Sequence, residues 1–254
     1  MTEFIRVVQR TMRILSSFDH DHPEMGVAEL SRKLDLPKPT VYRILATLES
    51  GGFVQQSPNG KYHLGFQLVQ LGWLALDQVS LRREALPFMR ELLEGYRETV
   101  SLTVFDGGSM FYLDVLESPQ PVKIAAQAGR RLSVHCTASG RAVLAYISEE
   151  RVMRVLGTQG LRAHTSETIT DLAALKEELR LTRERGYSIS QGEFEEGISA
   201  VGAPVMGSEG QVLAVIAVAG PTYRLPAERI AELGKAVQRK AHELSDHLSG
   251  ARLT

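Results

Sequence analysis

The sequence predicts an α+β protein in two parts, a small helical unit closed by a β-hairpin and a larger unit of antiparallel strands flanked by helices. Apolar residues recur at helical spacing up to residue 50, and two short strand patterns follow directly. Beyond residue 81 the strand patterns come in pairs joined by glycine-containing turns, without strict alternation of strand and helix. We therefore expect an N-terminal domain over residues 1–66, a linker helix over 67–80 and a second domain over 81–254.

Two helices are expected at the start of the N-terminal domain. In the first, over residues 2–18, apolar side chains at spacings of three and four share one face, which must pack against something. That face consists of Val8, Met12, Leu15 and Phe18. The polar stretch that follows contains Pro23, which breaks the pattern. A second short helix after Gly26 is expected to present Leu30 and Leu34 inward.

A tight turn and a third helix come next. Residues 35–39 contain two prolines, which disfavour a continuing helix, whereas Pro39 suits the first turn of a new one. We expect the third helix over residues 39–50, with Gly51 and Gly52 as its stop. Its buried stripe comprises Val41, Ile44, Leu45 and Leu48. Its outer side comprises Lys38, Thr40, Tyr42, Arg43 and Thr47.

A hairpin and a connecting helix complete this part of the chain. Strand patterns over residues 53–56 and 61–64 flank a Ser-Pro-Asn-Gly sequence, whose residue types favour a tight reversal. The two strands are typical of a wing. A helix over residues 66–79 is then expected to lead into the second domain. Its apolar residues in register are Leu68, Leu71 and Leu74.

Positive charge is concentrated around the third helix, although the whole chain has a net charge of only −1. The basic residues between 32 and 43 are Arg32, Lys33, Lys38 and Arg43, against Asp35 alone. In a helix-turn-helix the second helix of the pair enters the major groove, where its exposed half contacts bases and phosphates. Three helices, a proline-bearing turn, a basic outer side and a hairpin together predict a winged helix-turn-helix rather than a merely solvated basic surface. The expected DNA contacts are Lys38, Thr40, Tyr42, Arg43, Thr47 and, on the wing, Lys61.

The second domain is expected to combine an antiparallel sheet with flanking helices. Helices are predicted over residues 81–98, 138–147, 149–156, 172–185 and 226–248. Strands are predicted over residues 100–105, 110–117, 121–126, 187–190, 198–206 and 212–219. Glycine-containing turns at 106–109 and 207–210 are expected to join the strands on either side into hairpins.

Composition excludes several classes of protein. The chain is 43% hydrophobic and 23% charged, which is typical of a globular protein with a sizeable core. Its longest apolar stretches are far shorter than the roughly 20 residues that cross a bilayer, and no signal segment is evident, so we expect a cytoplasmic protein without a membrane partner. The single cysteine, Cys136, excludes an internal disulfide and any site of several cysteines.

Two sets of motifs, in the same order along the chain, resemble the IclR family of bacterial transcription regulators. The N-terminal set is VQR at 8–10, ELS at 29–31, LPKPTVYRIL at 36–45, GFV at 52–54 and KYHLG at 61–65. The C-terminal set is HCTASGRA at 135–142, GYS at 186–188, GAPV at 202–205 and AGP at 219–221. The resemblance covers almost the full length of the chain.

This resemblance implies a GAF-like effector-binding domain behind the DNA-binding domain. It also implies a homodimer formed largely through the N-terminal region and the linker helix, often as a dimer of dimers on partly palindromic double-stranded operator DNA. The family's pocket positions correspond here to Ile124, Ala138, Ser139, Ser190, Ile198, Ala200, Ala217 and Ala219. Because residues 135–141 lead into a helix, we also expect His135 and the following backbone N–H groups to favour a bound carboxylate.

The residues at four of these positions predict the chemistry of the effector. Family members that bind very small polar acids commonly have Asp, Cys or Ser where this chain has Ser190, Ala200, Ala217 and Ala219. Three of the four are alanine here, and a wall of methyl groups would leave the buried polar groups of a small acid unpaired. We therefore expect an aromatic or otherwise fairly apolar organic acid. The alternative is that these alanines are ordinary core residues of strands.

Some residues of the second domain also suggest other sites and functions. Cys136 beside His135 suggests a nucleophile, but neighbours on a strand point to opposite faces, so we expect no catalytic residue. A metal site of His135, Cys136 and His164 lacks a standard spacing, although folding could gather such groups, and we expect neither metal nor cofactor. Glu193, with Glu195 and Glu196, is expected in a solvated loop, where it could guard the pocket. An enzyme with an appended DNA-binding module and an effector-free architectural protein remain the competing functions.

Overall fold

The computed structural model describes residues 4–19, 21–77, 80–106 and 108–250, and the chain divides into two compact units. The first is Met1–Val79 and the second is Ser80–Thr254. Among the described residues, no helix is both long enough and apolar enough to span a membrane.

Over the residues that the structure describes, the first unit consists of four helices and a two-stranded sheet. Its helices are α1 (Arg6–Leu15), α2 (Val27–Leu34), α3 (Lys38–Ser50) and α4 (Phe66–Asp77). Its strands are β1 (Val54–Gln56) and β2 (Tyr62–Leu64), which pair antiparallel. The predicted stripe of α3 is buried as expected and forms the centre of this unit's core with Leu30 and Leu34 from α2.

The first helix differs from the prediction in both its length and its buried face. It ends at Leu15, where Ser16 and Ser17 turn the chain, so Phe18 is buried from beyond the helix rather than along it. The residue of α1 that is completely buried is Ile14, whereas Met12 is 61% exposed. The apolar pattern over residues 2–18 was therefore a poor guide to the core of this unit.

The wing is attached to the helices through backbone hydrogen bonds. Met25 and Tyr62 exchange N–H to carbonyl bonds of 2.9 Å in each direction, which extends the sheet by one bridge ahead of α2. The turn closes with Ser57 N–H donating to the carbonyl oxygen of Lys61 at 2.8 Å. Gly60 in this turn has a φ of +79°, a conformation that residues with a side chain rarely adopt.

The second unit is one six-stranded antiparallel sheet covered by helices. Its strands are β3 (Thr99–Asp106), β4 (Ser109–Leu116), β5 (Arg131–Leu132), β6 (Ser188–Gln191), β7 (Ile198–Met206) and β8 (Val212–Pro221). Its helices are α5 (Ser80–Tyr96), α6 (Ala138–Leu144), α7 (Glu149–Gln159), α8 (Leu172–Arg185) and α9 (Ala227–Gly250). The strand order is β5-β4-β3-β8-β7-β6.

Alternation along β8 shows how the two faces of this sheet are used. Ile216 and Val218 belong to the core beneath α5 and α9, whereas Val215 belongs to the core beneath α6, α7 and α8. Ala217 and Ala219 follow Val215 on the second face. The expected α+β class with an antiparallel sheet flanked by helices is thus confirmed.

One predicted strand is wrong. Residues 121–126 contain no strand, and most of them are exposed. The edge of β4 is instead paired by the two-residue strand β5, with Met110 opposite Leu132 and Phe111 opposite Arg131. A strand this short has no periodicity of its own, which is why the sequence did not reveal it.

Candidate nucleic-acid interface and ligand pocket

The third helix presents a polar, cationic face to solvent. Lys38, Tyr42, Arg43 and Thr47 are exposed and Thr40 is half-buried, because the opposite stripe of α3 is fixed in the core. Among the residues the structure describes, the charged side chains of Lys38 and Arg43 have no hydrogen-bond or ion-pair partner. Thr47 differs from them because its hydroxyl donates to the carbonyl oxygen of Arg43 at 2.8 Å. The charges on this face are therefore available to phosphates and base edges.

Lys61 lies just before β2 and is already paired. Its Nζ is 3.0 Å from Oε1 of Glu29, and Oε2 of the same carboxylate accepts the Gly26 N–H at 2.7 Å. These two hydrogen bonds hold the pKa of Glu29 below its usual value, and the bond from the Gly26 backbone N–H has the larger effect. Glu24 accepts hydrogen bonds from Ser57 and Asn59 in the wing turn, and its pKa is lowered for that reason. These contacts of Glu24 and Glu29 with the wing were not predicted from the sequence.

A pocket opens on the α6 side of the sheet because the strands carry small residues there. Ser190, Ala200 and Ala219 are register partners across β6, β7 and β8. In the next row Ala217 is opposite Ser101 of β3. Short side chains on four neighbouring strands leave space above the sheet that larger residues would fill.

The start of α6 forms one wall of this pocket and is held close to the sheet. A Cβ at Gly140 would lie 2.2 Å from the carbonyl oxygen of Val134, so only glycine permits this approach of helix and preceding loop. Ser188 donates to the carbonyl oxygen of Ala138 at 2.6 Å, and Ser190 donates to that of Cys136 at 2.8 Å. The hydroxyl hydrogen of Ser190 is therefore already used, and only its lone pairs face a ligand.

The pocket encloses about 610 Å³, including the part that is open to solvent. Eight of the residues proposed from the sequence line it, namely Ile124, Ala138, Ser139, Ser190, Ile198, Ala200, Ala217 and Ala219. Sequence reasoning missed the other lining residues, which are Ser101, Tyr112, Ala125, Arg130, Leu132, Thr137, Phe194 and Glu195. Two of the missed elements, the segment before β5 and the loop after β6, have no sequence pattern that marks them as pocket walls.

Arg130 brings a positive charge to this pocket. Its Nη2 is 3.0 Å from Oε1 of Glu195, and its guanidinium carbon lies 5.9 Å from the ring centre of Phe194. Both members of the ion pair remain substantially exposed, so a ligand carboxylate can compete with Glu195 for the guanidinium. Burial raises the pKa of Tyr112, which keeps this phenol neutral and able to donate.

Two expected ligand contacts, His135 and Glu193, lie outside the pocket lining. Glu193 is buried rather than solvated, and its carboxylate is paired on both oxygens with Arg141. That guanidinium, 1% exposed, also donates to the carbonyl oxygens of His135 at 2.7 Å and Ile189 at 3.0 Å. The buried pair thus fixes the loop after β6 against α6 from behind the pocket, instead of guarding its entrance.

His135 and Cys136 do not point to opposite faces, because residues 133–137 are not a strand. One ligand atom each of His135, Cys136 and His164 lie within 4.8 Å of one another. His135 is buried with its ring nitrogens 3.0 Å from Ser133 Oγ and 3.1 Å from the carbonyl oxygen of Arg162, and desolvation lowers its pKa. Burial raises the pKa of the Cys136 thiol, which is therefore neutral.

Comparison with known proteins identifies the chain. Residues 7–58 match the family described as the IclR helix-turn-helix domain, and residues 73–246 match the bacterial transcriptional regulator IclR C-terminal domain. The chain belongs to the IclR family. As in that family, it is a DNA-binding transcriptional regulator and not an enzyme.

Relatives of known kind are similar over nearly the whole chain. The regulator XynR of Escherichia coli is 30% identical and KipR of Bacillus subtilis is 31% identical, and the matches cover 95% and 94% of this chain and 96% of each relative. A Silicibacter structure described as an IclR transcriptional regulator superposes with a TM-score of 0.87 at 32% identity, covering 95% of this chain and 96% of that one. An IclR homologue from Microbacterium hydrocarbonoxydans, complexed with 4-hydroxybenzoate, has a TM-score of 0.78 at 27% identity, covering 95% and 99%.

Proposed function

We propose that this regulator binds an aromatic or otherwise fairly apolar organic acid in the pocket above β6, β7 and β8, and that the bound acid controls its affinity for operator DNA. The observation that carries the proposal is the combination of a methyl-lined floor with a guanidinium at one side. Ala200, Ala217 and Ala219 provide the floor, and Arg130 provides the charge.

The pocket suits both parts of such a ligand, its aromatic ring and its carboxylate. An aromatic ring lying on the alanine floor leaves no polar group unpaired, and Phe194 and Ile198 add apolar walls. The carboxylate would take the place of Glu195 on Arg130, with two N–H groups in a forked arrangement. The hydroxyls of Ser101 and Ser139, which have no hydrogen-bond partner among the described residues, are available to a further polar substituent.

The similar Microbacterium protein supports the same class of ligand, because 4-hydroxybenzoate is an aromatic acid with one further hydroxyl. We treat it as the first compound to test and not as the identity of the effector. Coupling to DNA requires that the acid bind two arrangements of the protein with different affinity, a difference typically of about 1 to 3 kcal/mol.

On the DNA side, we propose that α3 enters the major groove with Lys38, Thr40, Tyr42, Arg43 and Thr47 toward the duplex. Support comes from the solvent-facing cations of this helix and from the family's helix-turn-helix match over residues 7–58. Lys61 would contact the adjacent backbone only by exchanging its partner Glu29 for a phosphate. DNA in the cytoplasm is the expected partner.

We also propose that the protein is a homodimer, or a dimer of dimers, formed through α1 and α4. Both helices leave large apolar side chains exposed in the first unit, a pattern that marks a protein interface. The exposed residues of the two helices are Val7, Val8, Met12, Phe66, Val69 and Leu71, and Phe4 and Ile5 are exposed just before α1. Two helix-turn-helix units related by a twofold axis would suit a partly palindromic operator.

The test is a calorimetric titration of the purified protein with 4-hydroxybenzoate and a series of aromatic and short-chain acids. We expect binding of at least one aromatic acid, weakened tenfold or more in Ala200→Asp and unchanged in Ala231→Asp, which alters an exposed alanine of α9. The acid that binds is then added to a footprinting assay on the operator. If only small polar acids bind, or if Ala200→Asp binds the aromatic acid as the wild type does, this assignment of the pocket is wrong.

A further inference from the structure

Behind the wall of the pocket, three side chains with metal-binding atoms converge from two separate loops. His135 and Cys136 precede α6, and His164 lies in the segment between α7 and α8. One ligand atom of each lies within 4.8 Å of the other two. His135 and Cys136 are buried, whereas His164 is exposed, so the cluster has a closed side and a side that solvent can reach.

The hydrogen bonds of His135 determine which of its nitrogens could bind an ion. Nε2 is 3.1 Å from the carbonyl oxygen of Arg162, and since a carbonyl can only accept, Nε2 carries the hydrogen. In a neutral ring Nδ1 then keeps its lone pair, which accepts from the Ser133 hydroxyl at 3.0 Å. A histidine that binds a metal through one nitrogen while donating the other N–H to a backbone carbonyl is the usual arrangement in metalloproteins.

The ligand atoms are somewhat farther apart than in a formed tetrahedral site. Zinc–nitrogen bonds of about 2.0–2.1 Å and zinc–sulfur bonds of about 2.3 Å place the ligand atoms roughly 3.3–3.6 Å apart. The cluster, at up to 4.8 Å, must therefore contract by about 1 Å. His164 can supply this movement, because its ring is exposed. Its ring neighbours are Phe194 and His135, with ring centres 5.1 Å and 6.0 Å away.

The nature of the ligands selects the ion. One thiolate and two imidazoles suit zinc, a borderline-soft ion, whereas magnesium and calcium require oxygen ligands. Arg141 lies behind His135, but its charge is balanced by its buried pairing with Glu193, so it does not leave an uncompensated cation beside the site. Three protein ligands would leave a fourth position of a tetrahedral zinc ion for water.

From this geometry we propose that His135 Nδ1, Cys136 Sγ and a ring nitrogen of His164 bind one zinc ion, with the fourth position open to water. Binding releases the thiol proton of Cys136 to solvent and frees the Ser133 hydroxyl from Nδ1. The ion would tie the loop that leads into Thr137 and Ser139 to the segment that carries His164, beside Phe194. The site does not depend on the identity of the effector.

The experiment uses the full chain without an affinity tag, stripped of metal with a chelator and titrated with Co²⁺ as a spectroscopic substitute for zinc. We expect one equivalent to produce the intense visible bands of a tetrahedral site together with a thiolate-to-cobalt charge-transfer band. Added zinc should displace the cobalt ion and abolish both the visible bands and the charge-transfer band. A weak octahedral spectrum without the thiolate band, or no binding at all, would overturn the proposal.

Variants test the individual ligands. His164→Ala changes an exposed residue and should fold normally, yet it should weaken cobalt and zinc binding at least tenfold. Cys136→Ser should lose the charge-transfer band, with circular dichroism confirming that the buried substitution has not unfolded the protein. His242→Ala, at an exposed histidine of α9, should bind as the wild type does. Equal affinity in His164→Ala and the wild type would remove His164 from the site and refute the three-residue arrangement.

Discussion

Replacing Arg141 by methionine tests how the pocket wall is held. The Arg141 side chain is 1% exposed and that of Glu193 is 11% exposed, and the guanidinium donates to both carboxylate oxygens. It also donates to the carbonyl oxygens of His135 and Ile189. Arg141→Met therefore leaves one buried carboxylate without its counter-charge and two carbonyl groups without these donors.

The size of the effect follows from this geometry. Removing one partner of a buried ion pair costs about 3 to 5 kcal/mol, because the remaining charge stays desolvated. In a unit of this size, 1 kcal/mol lowers the melting temperature by about 2 to 4 °C. We therefore expect Arg141→Met to unfold the second unit roughly 6 to 20 °C below the wild type.

Calorimetry and urea denaturation of the full chain measure this loss. The matched control is Arg154→Met, which removes an arginine from a pair with Glu150 whose side chains are 73% and 82% exposed, and which should have little effect. A loss in Arg141→Met no larger than that of the control would show that the buried pair is not a determinant of stability. A double variant, Arg141→Met with Glu193→Met, should recover much of the loss, since no charge is then left unpaired.

Three further substitutions test the proposed surfaces. Arg43→Ala should weaken specific operator binding by about 1 to 3 kcal/mol in an electrophoretic shift assay without changing the melting temperature, and unchanged binding would remove Arg43 from the interface. Arg130→Met should weaken aromatic acids at least tenfold while sparing their uncharged amides in calorimetry, whereas equal loss for acid and amide would mean that Arg130 does not bind the carboxylate. Met12→Asp should shift the protein toward monomer in light scattering, because it places a charge on the exposed apolar face of α1, and an unchanged mass would place the interface elsewhere.

The third helix, α3, could be predicted because its local signals agree. Pro39 suits the first turn of a helix, and the apolar residues of α3 repeat at helical spacing. Its basic residues then necessarily face outward, and the structure buries Val41, Ile44, Leu45 and Leu48 as expected. In α1 the same reasoning failed, since Met12 is apolar but exposed. A periodic pattern shows that a face is apolar, and it does not show whether the same chain or a second copy covers it.

The pocket floor could likewise be predicted, whereas its polar side could not. Ser190, Ala200 and Ala219 lie on strands whose register follows from alternation, so their positions in the sequence convert directly into positions on one face. Arg130 and Glu195, in contrast, lie in segments without periodicity, and the two residues are 65 positions apart in the sequence. No local rule gives such a contact, because the path of an irregular segment depends on everything it packs against.

Glu193 shows how this limit affects inference about function. Among neighbouring acidic residues, a glutamate between Gly192 and Phe194 has the sequence signature of a solvated loop, yet its carboxylate is buried against Arg141. The arginine belongs to α6 and the glutamate to the loop that also carries Phe194 and Glu195, so one ion pair connects two walls of the pocket. The pocket of this domain therefore has a buried ion pair that fixes its walls and an exposed pair, Arg130 with Glu195, that the proposed carboxylate would open. Separating the exposed pair costs little free energy, whereas separating the buried pair costs several kcal/mol. The proposed acid would therefore bind Arg130 without destabilising the fold.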